Sequence, residues 1–185
     1  MSNPSNSSDQ SVNDDPLQDF SNCHIGIIEH FQRLRQLTDL LTSDPAGPEV
    51  RQLAAGMQKF FREAVLEHHA DEEKELFPAV SRSAAAGVEA ERATALITQL
   101  VAEHRQFEAL WQQIEGNLKR LAKGKSAALD TALAEKLTQA YTAHARFEEQ
   151  EFLPLAAKIL SKNDQSALGL SLHMRHTPNK LPGYI

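Results

Sequence analysis

Residues 68–78 read HHADEEKELFP, and residues 144–154 read HARFEEQEFLP. In each stretch a His is followed four residues later by a Glu, so that His68 pairs with Glu72 and His144 pairs with Glu148. Positions four apart lie on one face of an α-helix, one turn from each other, where an imidazole nitrogen and a carboxylate oxygen can reach the same metal ion. Two such pairs on two helices predict a site for two ions.

A polar network without metal is the alternative interpretation of these residues. Burying several imidazoles and carboxylates in a helical core without a metal would cost several kcal/mol for each unpaired charge, so the pattern favours a metal site. The second Glu of each motif, Glu73 or Glu149, is expected either to face solvent or to accept the N–H of a ligating imidazole.

The composition excludes several classes of protein. A chain of 185 residues fits one domain, and a net charge of −6 without a basic stripe argues against binding to nucleic acid. No apolar run approaches the roughly 20 residues of a membrane span. The single Cys23 cannot form an internal disulfide, and residues 1–14 lack the features of a signal peptide. We therefore expect a cytoplasmic protein with no membrane association and a disordered segment at residues 1–14.

Apolar spacing and helix breakers predict four long helices. The first opens at Asp15-Pro16 and runs to about residue 41, and the second runs from about residue 49 past Pro78 to near residue 87, with a kink at the Pro. The third spans about residues 88–122 and the fourth about residues 126–161. Short connections predict an all-α, up-down-up-down antiparallel four-helix bundle over residues 15–161, followed by an irregular C-terminal tail at residues 162–185.

The first and third helices are expected to add one imidazole each. His104 lies as far before Ala122, at the end of the third helix, as His144 lies after Ser126, at the start of the fourth, so both fall at one level of their hairpin. On the first helix, His24 lies almost as far before the helix end as His68 lies after the start of the second helix.

His30 is the competing residue on the first helix. It lies much closer to the helix end than His24 does, which at about 1.5 Å per residue would offset it from His68 along the axis by roughly 13 Å. The spacing therefore favours His24, while His30 stays open as an alternative. His69 stays open as an alternative to His68, should the second helix be rotated about its axis.

Four helices that supply His, His-x-x-x-Glu, His and His-x-x-x-Glu, with EEKELFP at the second, resemble a hemerythrin-like (HHE cation-binding) domain over about residues 16–161. The resemblance implies a non-haem di-iron site inside the bundle, with imidazoles as terminal ligands and two carboxylates as bridges. Carried onto this chain, it implies the following ligands: His24, His68, His104 and His144 as terminal ligands, and Glu72 and Glu148 as bridges.

The chain departs from the oxygen-carrying hemerythrins on the third helix. Those proteins have a second His one turn from the first, whereas here Leu100 and Glu108 lie four residues before and after His104. The position of this second imidazole is left to Glu108, to a water molecule or to no ligand at all. A site with one imidazole fewer favours redox or sensing chemistry over reversible carriage of oxygen. Phe107, nearby on the same helix, is expected to limit water, and Tyr141 is expected in the core.

The donor types narrow the metal and the function. Imidazole and carboxylate without thiolate suit iron, manganese or zinc, and carboxylate-bridged pairs in helical bundles favour iron or manganese. The resemblance makes two iron ions the first choice. We expect a metal-binding protein that binds or reacts with O₂ or NO for sensing, storage or redox response, rather than an enzyme. The alternatives are a di-iron oxidoreductase or an iron donor in iron–sulfur cluster repair, and a purely structural metal site.

Overall fold

The computed structural model describes residues 15–176, and this part of the chain is all-helical. It forms five helices, which we number in chain order: α1 (Pro16–Ser43), α2 (residues 48–83), α3 (Val88–Ala122), α4 (residues 131–159) and α5 (Lys162–His176). The predicted disorder of residues 1–14, and residues 177–185 of the predicted tail, lie outside the described residues. None of the helices in residues 15–176 has the length and apolar character needed to cross a membrane.

The helix ends follow from local capping. The side chain of Asp15 accepts a hydrogen bond from the backbone N–H of Gln18 at 3.1 Å, and Pro16 occupies the first turn, as predicted for α1. Helix α4 begins at Thr131, later than the predicted start at residue 126. The cause is a better cap: the side chain of Asp130 accepts the backbone N–H of Leu133 at 3.0 Å.

Residues 162–176 form helix α5, so the prediction of an irregular tail is wrong for this segment. Ser161 and Asp164 cap the helix reciprocally, because each backbone N–H donates to the other side chain. The helix then docks through buried Leu168 and through Arg175, which donates to Asp71 of α2 at 2.8 Å. A docking surface this polar has little apolar periodicity, which is why the sequence pattern did not indicate it.

The helices enclose a polar layer between two apolar clusters. Helix α1 packs against α2 and α4, and α3 packs against the same two helices. Along α1, Phe20 belongs to one apolar cluster and Ile27 to the other, and His24 lies between them. The layer is therefore shielded from both ends of the bundle.

Each His-x-x-x-Glu motif ends in a π-helical turn, Glu72–Leu76 in α2 and Glu148–Phe152 in α4. The amide that follows each turn donates to the carbonyl of the motif Glu five residues earlier. A Pro, Pro78 or Pro154, comes one residue later in the chain. Because Pro has no N–H and crowds the preceding turn, the wider turn lets the helix continue past it. The motif Glu stays on the inner face as a result.

Candidate metal centre

The six predicted ligands converge in the polar layer between the apolar clusters. All are nearly inaccessible to solvent, with exposed fractions between 0% and 4%. They come from four helices: His24 from α1, His68 and Glu72 from α2, His104 from α3, and His144 and Glu148 from α4. The structure therefore brings the whole set together, while their role as ligands stays a prediction.

Glu72 lies at the middle of the cluster with its two oxygens facing different imidazoles. Its Oε1 is 3.0 Å from Nε2 of His68 and 3.8 Å from Nε2 of His24. Its Oε2 is 3.1 Å from Nε2 of His104. One carboxylate oxygen thus faces the α1–α2 side and the other faces α3, which is the arrangement that a bridging carboxylate needs.

Glu148 occupies the opposite side of the cluster. Its Oε2 is 3.4 Å from Nε2 of His24 and 3.7 Å from Nε2 of His144. The donor atoms form three groups, and within each group the atoms lie within 4.8 Å of one another. Glu72, His24 and His144 each belong to two of these groups. The groups therefore overlap as adjacent positions, not as separate sites.

The donor atoms of the cluster lie close together, but within residues 15–176 none has a partner with the geometry of a hydrogen bond. The unpartnered atoms are Nε2 of all four imidazoles and both oxygens of each carboxylate, namely in His24, His68, His104, His144, Glu72 and Glu148. A buried polar atom without a partner costs roughly 1–3 kcal/mol. Bound cations would satisfy these atoms together, and imidazole with carboxylate suits iron, manganese or zinc. The residues present therefore fit a metal centre.

The outer nitrogens of two imidazoles are held by the second Glu of each motif. Nδ1 of His104 is 2.8 Å from Glu73, and Nδ1 of His24 is 3.1 Å from Glu149. A carboxylate acceptor fixes the proton on Nδ1 and leaves Nε2 free to face an ion. The contacts agree with the predicted role of Glu73 and Glu149 as acceptors.

Glu103 was not identified from the sequence. It lies one residue before His104 and reaches across to α4, where its Oε2 is 2.7 Å from Nδ1 of His144. Cys23 precedes His24 in the same way, and it lines one cavity together with His68. Their position in the sequence could have indicated them, because a residue next to an inward-facing His points toward the neighbouring helix.

His69 is the second residue that the sequence pattern did not assign. His68 and His69 are both buried, because His68 packs toward α1 and His69 packs toward α3. The ring of His69 stacks on that of His104, with centroids 3.9 Å apart. Burial and the neighbouring imidazoles lower the pKa of His69 well below its usual value, so the ring is neutral.

The other open alternatives lie away from the cluster. The ring of His30 stacks on Phe60 with centroids 3.9 Å apart, and its Nδ1 faces the carbonyl of Gly26. Glu108 is partly exposed and pairs with Arg105. Neither side chain belongs to the groups of converging ligand atoms found in residues 15–176.

The electrostatics describe a centre that holds protons when metal is absent. Burial lowers the pKa of His24, but contacts with Glu148 and Glu72 and their negative charge outweigh it and raise the pKa to about 11. Burial also lowers the pKa of His68, but Glu72 and Cys23 outweigh it and raise the pKa to about 9. Burial would raise the pKa of Glu72, but the surrounding imidazoles hold it well below its usual value. Metal must therefore displace protons from imidazoles in order to bind.

The metal-free protein should lose stability as the pH rises from 7 to 9. A His with a raised pKa stabilises the fold fully below its unfolded pKa of about 6.5 and loses that contribution as the pH passes its folded pKa. For His68 this loss runs to about pH 9, and for His24 it runs to about pH 11. Each group contributes up to about 1.4 kcal/mol per pH unit.

Thermal unfolding at pH 6.5, 7.5 and 8.5 tests this expectation. The melting temperature of the chelated protein should fall across the series, while the metal-loaded protein, whose imidazoles carry no displaceable proton, should change less. A melting temperature of the chelated protein that rises toward pH 8.5 would contradict the assignment of raised pKa values.

The His24→Ala variant is expected to lose one of the two predicted metal ions or to bind it more weakly, whereas the His30→Ala variant is expected to retain both. The reason is placement: His24 lies 3.4 Å from Glu148 inside the cluster, and His30 stacks on Phe60 outside it. Metal content after reconstitution and desalting measures the effect, with His30→Ala as the matched control on the same helix. The reverse outcome would show that the first helix was assigned in the wrong register.

A surface cavity reaches the cluster at His68. It has a volume of about 190 Å³, and its lining includes Phe20, Cys23, Asp71 and His176 beside the ring of His68. Helix α5 forms one wall of the cavity through His176. The cavity therefore opens beside the ring of His68.

These observations define a helical, cation-binding bundle in which paired His and Glu residues line the interior. The chain matches the hemerythrin HHE cation-binding domain family over residues 15–156. The match covers most of the chain, so the protein belongs to the hemerythrin family of HHE cation-binding domains. A search among curated proteins found no significant match to the chain.

Proposed function

We propose that the protein binds two iron ions between its four longest helices and reacts through them with O₂ or NO, as a sensor or redox-responsive protein. Family membership supports cation binding. The observation that carries the proposal is the set of converging donor atoms with no hydrogen-bond partner among the described residues. The proposal places this chemistry in the cytoplasm, in keeping with the single Cys23.

The position of Glu72 supports the proposed number of ions. Its Oε1 faces His68 and its Oε2 faces His104, so a single ion on either side would leave one oxygen unpaired. Two ions would use both oxygens, with His24 and His68 placed to hold one ion and His104 and His144 placed to hold the other. Glu148, which lies between His24 and His144, would serve as the second bridge.

The bundle order that we assume is the antiparallel one, up-down-up-down. Contacts between side chains support it, because His24 meets His68 and, one level away, Phe31 meets Phe61. The numbers rise along α1 while the contacts move backward along α2. This order places one imidazole from each long helix at the same level.

The protein donors leave room for an outside ligand. Two imidazoles and two shared carboxylates would supply four donors to each ion, fewer than the six that octahedral metal sites take. Glu108, which could have supplied a further donor on α3, is instead paired with Arg105 at the surface. An open position distinguishes a reactive site from a structural one.

Iron, when bound, supplies the redox chemistry and the affinity for O₂ and NO that imidazole and carboxylate side chains lack. The residues of the chain hold and shield the site. Glu73, Glu103 and Glu149 keep the Nδ1 protons of three imidazoles in place. Phe107 lies against the ring of His144, with centroids 5.0 Å apart, and excludes water on that side.

Mixing the reduced protein with each gas tests the proposed function directly. The anaerobic, reduced, iron-loaded protein is exposed to O₂ and, separately, to NO, and the near-ultraviolet and visible spectrum is followed. New absorption bands with either gas are expected. The zinc-loaded protein is the matched control, because the same residues then hold an ion that does not undergo redox chemistry.

An unchanged spectrum with both gases would make the site closed and structural. The enzymatic alternative, a di-iron oxidoreductase or an iron donor, predicts more than a spectral change. It requires repeated turnover with an electron donor, or net transfer of iron to an acceptor protein, and either result would favour it over sensing.

A further inference from the structure

Two buried polar side chains beside the six ligands have no hydrogen-bond partner within residues 15–176. They are His69, in which both ring nitrogens are unpartnered, and Tyr141, in which the hydroxyl is unpartnered. Their exposed fractions are 2% and 0%. Apart from the six predicted ligands, no other residue of the described chain contributes a buried side-chain atom of this kind. Each unsatisfied group carries a penalty that an apolar residue would avoid.

His69 is not placed to bind the same ion as His104. The two rings are stacked, with centroids 3.9 Å apart and planes only 5° from parallel. A metal ion lies near the plane of the imidazole that binds it, so two face-to-face rings cannot both bind one ion without moving apart. His69 is also absent from the groups of converging ligand atoms in residues 15–176. Its nitrogens are therefore available to another partner.

Tyr141 is fixed by the rings around it. Phe31 and Phe107 flank it with centroids 5.1 and 5.2 Å away, and the ring of His144 lies 5.6 Å away. Its ring lies 6.1 Å from that of His69, with planes 18° from parallel. The phenol is thus held in place by its ring neighbours, while its hydroxyl has no partner among the described residues.

Both groups lie on one side of the centre. The ring of His69 stacks on that of His104, with centroids 3.9 Å apart, while those of His144 and of the adjacent His68 lie 6.3 and 6.2 Å away. The ring of Tyr141 lies 5.6 Å from that of His144. On the other side, the ring of His24 meets the rings of His68 and His144 but, within the described chain, neither that of His69 nor that of Tyr141. The two halves of the centre therefore differ in hydrogen-bonding groups although they match in donors.

We propose that His69 and Tyr141 form a hydrogen-bonding subsite for a small ligand of two or three atoms, bound at the ion position between His104 and His144. The proposal rests on the proposed function, because it needs an open position on a bound ion. An imidazole N–H and a phenol O–H both donate, so the subsite favours ligands that carry negative charge or accept hydrogen bonds. The close aromatic packing limits the ligand to a few atoms.

Azide is the probe, because it is a linear three-atom anion that accepts hydrogen bonds and changes the spectrum of ferric proteins when it binds. Azide is titrated into the oxidised, iron-loaded wild type and, separately, into the Tyr141→Phe and His69→Leu variants in the same state. Loss of one hydrogen bond to a charged ligand is expected to weaken the Kd about 10-fold in Tyr141→Phe. Metal content should stay at the wild-type value.

Thr138→Val is the matched control. Thr138 lies on α4 one turn before Tyr141, and its hydroxyl bonds to backbone carbonyls of Ala134 and Phe31. The control removes a partly buried hydroxyl from the same helix without touching the subsite. Its azide Kd should equal that of the wild type.

The melting temperature of the metal-free protein separates a ligand-binding role from a structural one. Tyr141→Phe removes a hydroxyl that has no partner among residues 15–176, so its metal-free melting temperature should equal or exceed that of the wild type. A clear fall in melting temperature would show that Tyr141 is structural, and would overturn the proposal.

The remaining outcomes are also decisive. If wild type and both variants bind azide equally, His69 and Tyr141 do not contact the ligand, and the subsite is wrong while the proposed function stands. If azide, O₂ and NO all leave the spectrum of the wild type unchanged, neither ion has an open position, and both proposals fail.

Discussion

Glu72→Gln is expected to abolish tight binding of both metal ions. The two oxygens of Glu72 face imidazoles on opposite sides, 3.0 Å from His68 and 3.1 Å from His104, so the side chain serves both ion positions. Gln has the same shape but only one acceptor oxygen and no charge. Loss of an outer partner of a ligand typically weakens metal binding 10–100-fold, and loss of a shared ligand should exceed about 100-fold. Metal content after desalting, and metal titration by calorimetry, measure the effect.

Glu75→Gln provides the matched control. Glu75 lies in the same π-helical turn but accepts a hydrogen bond from Ser171 of α5, away from the centre. It should bind two ions as the wild type does. If Glu72→Gln kept both ions while retaining its fold, the bridging role assigned to Glu72 would be wrong.

Removing metal with a chelator should lower the melting temperature by on the order of 10 °C. The ligands come from four helices and meet only in the folded chain, so metal stabilises the folded state and not the unfolded one. At a free metal concentration of about 1,000 times Kd, one ion adds about 4.1 kcal/mol. For a chain of this size, each kcal/mol raises the melting temperature by roughly 2–4 °C. Circular dichroism during heating measures the change.

The metal-free protein should remain helical at room temperature. Two apolar clusters on either side of the polar layer stay buried without metal, and they contain large side chains such as Phe31, Phe61 and Leu100. Glu72→Gln controls for direct effects of the chelator, because a variant that binds no metal should melt at the same temperature with and without it. A wild-type melting curve unaffected by metal removal would contradict a metal centre in this cluster.

The convergence of the predicted ligands could be predicted because each motif repeats the spacing of one helical turn. A His and a Glu four residues apart must share a helix face, and hairpin level distinguished His24 from His30 on the first helix. The structure places His24 in the cluster and His30 outside it. Helix boundaries set by strong caps or breakers, such as Asp15-Pro16 and Gly87, were also predictable.

The features that were missed depend on contacts between helices. His68 and His69 looked like alternatives, because a regular helix turns adjacent residues about 100° apart. In the bundle interior that angle points them at two neighbouring helices, so both are buried. Helix α5 was missed because it docks largely through polar contacts, such as that of Arg175 with Asp71, which leave no periodic apolar pattern.

The two halves of the chain also show an asymmetry that only the structure reveals. Glu103 precedes His104 and holds His144, whereas Cys23 precedes His24 and lies beside His68. A carboxylate thus accepts from the imidazole of His144, whereas a thiol occupies the matching position beside His68. The sequence repeat marks the predicted ligands, but not the residues that contact their outer nitrogens.

Glu72 and Glu148 are proposed to join two adjacent ion positions. Anaerobic reconstitution with ferrous iron, followed by desalting and elemental analysis against protein concentration, tests it most directly. Loading is expected to saturate at two irons per chain. Saturation at one iron per chain, or no retained iron, would contradict it.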